Sequence, residues 1–356
     1  MVAGGLVTEE RPELIGVPGR PSPLVRPRSD SAVVLALEAS VDSLAAALVG
    51  FGGDVHASVR VERPRAHLAA DEIVADLAEL AAPLLARVSG SMSLIGVGVA
   101  VVAIVRRTDG LVRLAPNLGW HEVPLARMLT GALDVSVPLT VANDADLGVL
   151  AEHRRGAARD VDDAVYIAGE VGVGGGVLVD GRPLRGADGY AGEIGHIPVN
   201  PDGRPCRCGS YGCWETEVGE RALLSASGRP ADGGPDEVGR LLQDAESGDE
   251  RALAALRQVG EWLGVGIAAI VNVFNPRVVI LGSLFDRIYP YVITSVEDRL
   301  AARGLAASRE HVRVVPAALG GESVLLGAAE QAFEPFLEDP AAWLAPRVGE
   351  VHLASA

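Results

Sequence analysis

Four residues in one short stretch have the types and spacing to hold a metal ion. His196, Cys206, Cys208 and Cys213 fall within eighteen positions, and the three cysteines are the only ones in the 356-residue chain. Three thiolates and one imidazole make a complete tetrahedral set for zinc, with no position left open for a catalytic water. A closed set of this kind serves structure. Proline, glycine and serine between the ligands let the chain turn tightly enough to wrap an ion. The odd cysteine count argues against a disulfide framework. Three separate buried thiols are the other reading, but buried cysteines ordinarily scatter along a chain. Glu193 stands just before this segment and Glu215 just after it. A clamp that fixes two carboxylates marks the neighbourhood of a binding site.

The clamp needs a scaffold, and composition bounds it. The chain is long enough for two domains. Hydrophobic residues make up 49% of it and aromatics 4%, so the core must be alanine, valine and leucine. Glycine and charge interrupt the longest apolar runs before they reach the roughly 20 residues that span a bilayer. The first residues lack a basic segment followed by a long apolar one, so no signal peptide is expected. A reducing cytoplasm would keep the thiols free for metal. Acidic residues exceed basic ones by 47 − 31 = 16. That balance repels DNA phosphates, so this chain alone is a poor DNA binder.

The elements follow an α/β plan. Residues 31–38, 43–50 and 54–61 read as three strands separated by short turns. Ile73, Leu77, Leu80 and Leu84 recur at helical spacing over 70–88. Residues 94–102 form an apolar run suited to a strand buried on both faces. A short helix over 125–133, a strand over 139–142 and a helix over 147–154 follow. The pattern then restarts with strands at 164–168 and 177–180, the glycines of 173–176 reading as a turn between them. Helices near 217–226, 237–246, 250–273 and 285–303, strands at 278–281 and 312–315, and a helix at 322–333 complete it. The restart suggests an internal duplication, with a ligand cleft between its halves.

Gly192-Glu193-Ile194-Gly195-His196, the run from Cys206 to Cys213, and Glu215 together resemble the signature of the ROK family of repressors, open reading frames and kinases. Asn143-Asp144-Ala145, Asn117-Leu118-Gly119-Trp120 and the run from Asn275 to Gly282 fit the same pattern more loosely. The resemblance covers about residues 31–336. It implies a duplicated actin-like (ribonuclease H-like, sugar kinase) two-domain α/β fold with a structural zinc loop. The N-terminal domain would span 31–141 and the C-terminal domain 142–317, with the zinc loop at 196–213. A helix over 318–336 would return to the first domain, and 337–356 would be a tail. His196, Cys206, Cys208 and Cys213 would ligate zinc. Asn143, Glu193, His196 and Glu215 would bind sugar hydroxyls, for which carboxylates are suited acceptors. Asp144 would stand at the position of the catalytic base of the kinases and touch the sugar. From the residues alone, Asn143 or Asp144 also reads as a helix cap before Ala145, a role compatible with ligand binding.

The phosphate side departs from the family. Kinases of this kind open with Asp-x-Gly-Gly-Thr, whose glycines let backbone N–H groups approach phosphate. Here the stretch reads Glu38-Ala39-Ser40-Val41-Asp42, and the second loop reads Gly169-Glu170-Val171-Gly172. Asp42 and Glu170 would repel a polyphosphate, so ATP and Mg²⁺ are not expected as cofactors. Val102-Ala103 replaces a Pro-Gly that normally approaches the sugar, and reads as a plain continuation of the buried strand. Gly5-Leu6-Val7 and Gly19-Arg20-Pro21 look like the wing and linker of a winged helix-turn-helix, so residues 1–30 are expected to be its remnant. DNA contact would then require the rest of that domain upstream. The expectation is a cytoplasmic, homodimeric, non-catalytic sugar sensor with no membrane association. The alternative is a divergent ATP-dependent kinase of hexoses or N-acetylhexosamines.

Overall fold

The computed structural model describes residues 5–10, 23–65, 69–90, 92–340 and 343. Gly19-Arg20-Pro21 and most of the expected tail lie outside the described residues. Strands β1 (Val7–Glu10) and β2 (Leu24–Pro27) pair antiparallel as a ribbon, and Leu6 and Val7 are buried in the core that follows.

Strands β3 (Ala32–Ala39), β4 (Ser43–Gly50) and β5 (Val55–Glu62) form an antiparallel meander. All eight residues of β3 are buried, and its Ala/Val/Leu composition, broken only by Glu38, suits a strand covered on both faces. Helix α1 (Ala70–Leu85) lays Ile73, Leu77, Ala81 and Leu84 on the sheet. Strand β6 (Ser93–Val101) runs parallel to β3. The chain then bends at Val102 and Ala103. The buried strand does not continue through them, which corrects the expectation. An antiparallel sheet follows: β7 (Ile104–Arg106), β8 (Leu111–Ala115) and β9 (Trp120–Val123). These strands are too short for a readable alternation. Helix α2 (Leu125–Leu133) leads to β10 (Leu139–Asn143), which runs parallel to β6.

Helix α3 (Asp144–Arg155) begins three residues before its expected start. Then β11 (Ala164–Gly169), β12 (Val173–Val179) and β13 (Arg182–Pro183) form a second meander. Gly174, Gly175 and Gly176 lie inside β12 and not in a turn, a second correction. Close packing explains them. A Cβ on Gly176 would sit 2.1 Å from the carbonyl oxygen of Ala145 in α3, and one on Gly175 would sit 2.4 Å from Ile194 Cδ1. Beyond a 3₁₀ turn (Ile194–His196), the expected helix near 217–226 breaks at Gly219 into α4 (Trp214–Val218) and α5 (Glu220–Ala226). Helices α6 (Gly234–Glu246) and α7 (Glu250–Phe274) follow. α7 is long and apolar enough to cross a membrane, but its apolar face lies in the core. Gly260 and Gly264 let it approach the next helix closely. Strand β14 (Val278–Ser283), helices α8 (Leu284–Arg303) and α9 (Ala306–Arg309), strand β15 (Arg313–Pro316) and helix α10 (Ser323–Glu338) complete the chain. α10 thus takes in the first two residues of the expected tail.

The two five-stranded sheets have one plan. Their orders are β10-β6-β3-β4-β5 and β13-β12-β11-β14-β15. Each starts with an antiparallel meander and adds two parallel strands to its first member. α10 packs on the inner face of the first sheet and α3 on that of the second. The two helices touch where a Cβ on Gly327 would meet the carbonyl oxygen of Leu147 at 1.9 Å. The duplicated α/β layout is therefore present, with helices α3 and α10 between the sheets.

Gly176→Ala should lower unfolding stability by about 2–3 kcal/mol, because only backbone could move to make room. Gly131, in α2, has open space around its Cα. Gly131→Ala should stabilise by about 0.5–1 kcal/mol. Urea titration of the two variants checks both signs.

Candidate functional site

The metal-ligand residues come together. The ligand atoms of His196, Cys206, Cys208 and Cys213 all lie within 4.8 Å of one another. Cys208 Sγ and Cys213 Sγ are 3.7 Å apart, and Cys206 Sγ is 3.7 Å from His196 Nδ1. Zinc–sulfur bonds of about 2.3 Å at tetrahedral angles put two sulfurs about 3.8 Å apart. Donor types and spacing both fit a metal ion. Nδ1 is the edge of His196 turned to the sulfurs, and Nε2 lies 3.8 Å from Glu193 Oε2. As a thiol, Cys206 donates to Glu215 Oε1 at 2.8 Å. Burial, reinforced by that bond, pushes the Cys206 thiol up.

Backbone hydrogen bonds shape the loop. The N–H groups of Val199 and Asn200 donate to the Gly212 carbonyl, and Gly212 N–H donates to the Arg204 carbonyl. Gly212 has φ +62°, and a Cβ there would lie 1.5 Å from the Asn200 carbonyl oxygen. No other residue fits. Trp214 anchors the exit of the loop. It is fully buried against Gly266, and its Nε1 donates to the Trp262 carbonyl at 2.9 Å.

Beside the cluster lies a cavity of about 950 Å³, counting its open mouth, and Asn143, Asp144, Glu193, His196 and Glu215 all line it. Asn143 ends β10 and caps α3. Its Oδ1 accepts from the N–H groups of Ala145 and Asp146 at 2.9 and 3.2 Å, and its Nδ2 donates to the Ala103 carbonyl at 3.2 Å. The bend at Val102-Ala103 is therefore tied to Asn143. Asp144 is buried, and burial pushes its carboxyl up to about 7, with the Glu38 charge adding to the effect. Burial also raises Glu193, while His196 acts to lower it. Sequence reasoning assigned no role to Asn117 or Arg207, yet both line the cavity, and Arg207 Nη1 donates to Asn117 Oδ1 at 2.8 Å. The Asn117-Leu118-Gly119 run was the available signal. What it lacked was the β7–β9 sheet that carries Asn117 to the site.

The loops expected to meet phosphate are filled by side-chain pairs. Arg65 Nη2 donates to Asp42 Oδ2 at 2.6 Å and to Glu220 Oε2 at 2.7 Å, and its Nη1 reaches Glu220 Oε1 at 2.6 Å. Glu38 holds Arg60 through two bonds of 3.0 and 2.9 Å. Ser40 donates to Glu170 Oε2 at 2.8 Å, joining the turn after β3 to the equivalent turn after β11. Burial pushes Glu170 up to about 8, and the Asp144 charge adds to the shift. Asp42 is thus neutralised by an arginine, and Glu170 holds its proton near pH 7. The bare repulsion expected of these two carboxylates is therefore reduced.

The ROK family model matches residues 34–334. The xylose repressor of Caldicellulosiruptor bescii is 28% identical over 338 residues, covering 90% of this chain and 83% of the repressor. Across the xylose repressors it matches, the chain spans 62% to 83% of their length. The structure is similar to that of a ROK family glucokinase from Streptomyces griseus in complex with glucose and AMPPNP. The TM-score is 0.73 at 29% identity, covering 84% of this chain and 99% of that one. It is also similar to a ROK family transcriptional regulator homologous to the E. coli MLC protein. There the TM-score is 0.76 at 25% identity, covering 92% and 84%. Repressors and sugar kinases both stand among the relatives, and with a match running over residues 34–334 the chain belongs to the ROK family.

Proposed function

We propose that the chain is a non-catalytic, sugar-sensing transcriptional regulator of the ROK type, with its effector in the cavity lined by Asn143, Asp144, Glu193, His196 and Glu215. The observation that carries this reading is the Arg65–Asp42–Glu220 triad, with the Ser40–Glu170 bond beside it, where kinases of the family need open phosphate loops. Phosphoryl transfer depends on positioning and on charge stabilisation around the phosphates. Carboxylates and an engaged arginine leave no glycine-lined cradle for them. Sugar closing the cleft would shift a two-state population, and DNA would be contacted only if a winged helix-turn-helix stands upstream of the sugar-binding part. A cytoplasmic homodimer is the assembly this reading takes from the family.

The cluster of His196, Cys206, Cys208 and Cys213 is proposed to hold structural zinc. Bound there, zinc would supply a fixed cross-link between the loop and the 3₁₀ turn. The chain's own part is to hold Nδ1 of His196 toward the sulfurs, which leaves Nε2 facing Glu193 and the cavity.

One observation favours the second reading, a divergent sugar kinase. Asp144 lines the cavity with its carboxyl pushed up to about 7, a value suited to taking a proton from a hydroxyl at neutral pH.

A coupled ATP assay over hexoses and N-acetylhexosamines should give turnover below about 1 s⁻¹, the low end of ordinary enzyme rates. Faster turnover would establish the kinase instead. Titration calorimetry with the same panel should find a sugar that binds, and Glu193→Gln should weaken it about tenfold or more. Elemental analysis should find zinc at one atom per chain. Its removal by chelator should lower the melting temperature by roughly 3–4 °C, as a loss of about 2–3 kcal/mol would in a chain of this size. The proton on Glu170 gives a pH test. A carboxyl whose folded pKa is raised contributes full stability below its unfolded value, here 4.5, and loses it as pH rises through its folded value near 8. Stability should therefore fall between pH 5 and pH 8. Glu170→Gln should flatten that fall by about 1–2 kcal/mol in denaturant titrations at the two pH values.

A further inference from the structure

A second cavity opens on the far side of Asn143 and Glu193. It holds about 800 Å³, counting its open mouth, and shares both of those residues with the first, so the two adjoin. Its remaining polar wall comes from separate parts of the fold: Arg107 after β7, Asp146 in α3, Arg185 and Tyr190 after β13, and Gln331 and Glu334 in α10.

Arg185 is out of the ordinary for this chain. Among the described arginines that are not solvent-exposed, it is the one with no hydrogen bond and no ion pair. The others, such as Arg65, Arg155 and Arg229, each hold a carboxylate. Burial and the neighbouring Arg107 charge both act to lower the Arg185 pKa. Glu334 and Asp146 oppose this only through space. Two guanidiniums that repel each other in a concave, partly desolvated site are relieved by an anion, whose paired oxygens match the guanidinium fork. Asp146 does little to exclude one, since burial raises its carboxyl to about 7.

We propose that this cavity is an anion subsite, in which Arg185 and Arg107 hold the phosphate or carboxylate of an acidic sugar whose ring occupies the first cavity. This rests on the sugar-sensing reading of the first cavity and adds the class of effector. The acidic group projects past Asn143 and Glu193, away from Asp144 and Glu170. The subsite therefore separates acidic from neutral sugars without using the positions a kinase would need for ATP.

The test is titration calorimetry on the full chain with four related sugars and one bare ion. The sugars are glucose, glucose 1-phosphate, glucose 6-phosphate and glucuronate, and the ion is inorganic phosphate. At least one acidic sugar should bind about tenfold more tightly than glucose, and the better acid identifies a phosphate or a carboxylate source. Arg185→Gln should remove most of that preference. Arg107→Gln, at an exposed position, does the same if Arg185→Gln does not fold, as thermal melts will report. Equal binding of acidic and neutral sugars, or a preference that survives both substitutions, overturns the proposal. If no sugar binds, the sensing reading has failed, and inorganic phosphate alone decides the subsite. Saturable phosphate binding that is lost in the variants supports it, and no binding overturns it.

Discussion

The contact of backbone with backbone along β12 sets the width of the site. Gly176 meets the Ala145 carbonyl from one side, and Gly175 meets the loop at Gly192 from the other. Ala145 directly follows Asn143 and Asp144, and Gly192 directly precedes Glu193. One glycine strand therefore spaces the two carboxylate-bearing walls of the first cavity. Side chains at these positions would push α3 or the 3₁₀ turn outward, and protein interiors have little slack to absorb that. The metal-ligand loop builds on this frame. It begins at His196, three residues after Glu193, and ends where buried Trp214 locks onto α7. Glu215, the next residue, is then delivered to the same cavity from the other side.

Charge is handled in opposite ways at the two ends of the cleft. At one end, Arg65 joins Asp42, in the turn after β3, to Glu220, at the start of α5, and so ties the first half of the fold to the second. Removing one member of such a partly buried triad leaves the others uncompensated, which is why these networks fix geometry more than they add stability. At the other end, Arg185 and Arg107 have no carboxylate to hold. Arginines engaged in one place and free in another, within one cleft, separate a strap from a site.

Much of this was legible in the chain. The strand-turn-strand-turn-strand openings of both halves and the four-ligand cluster followed from residue types and spacing, whereas the grouping of Asn143, Asp144, Glu193, His196 and Glu215, which line one cavity, was implied by the family resemblance. The failures were of one kind. Gly174–Gly176 read as a turn because three glycines weaken a strand, and only the approach of α3 on one side and of the Gly192–Ile194 segment on the other explains them there. The strands β7–β9 are three to five residues long, too short for periodicity to register, so Asn117 had no visible route to the site. The neutralisation of Asp42 by Arg65 depends on a partner 23 positions away, and no local pattern encodes it.

Asn143 shows how far geometry narrows the ligand. Its Oδ1 already accepts two backbone N–H groups, and one hydrogen of Nδ2 is engaged by the Ala103 carbonyl. An asparagine amide offers two donors and one oxygen with two lone pairs. Asn143 therefore has a single N–H left, and it can meet only an acceptor. A carboxylate, when ionised, can only accept, and Glu193 lines the same cavity. A group bridging the two must accept from one and donate to the other, which a hydroxyl does and a carbonyl or an ammonium does not. The bend at Val102-Ala103 takes part in this, because the Ala103 carbonyl accepts one N–H of that amide and so fixes its orientation. The loss of Pro-Gly has thus not disconnected the loop from the site. The Ala103 carbonyl still supports the Asn143 amide at the cavity wall.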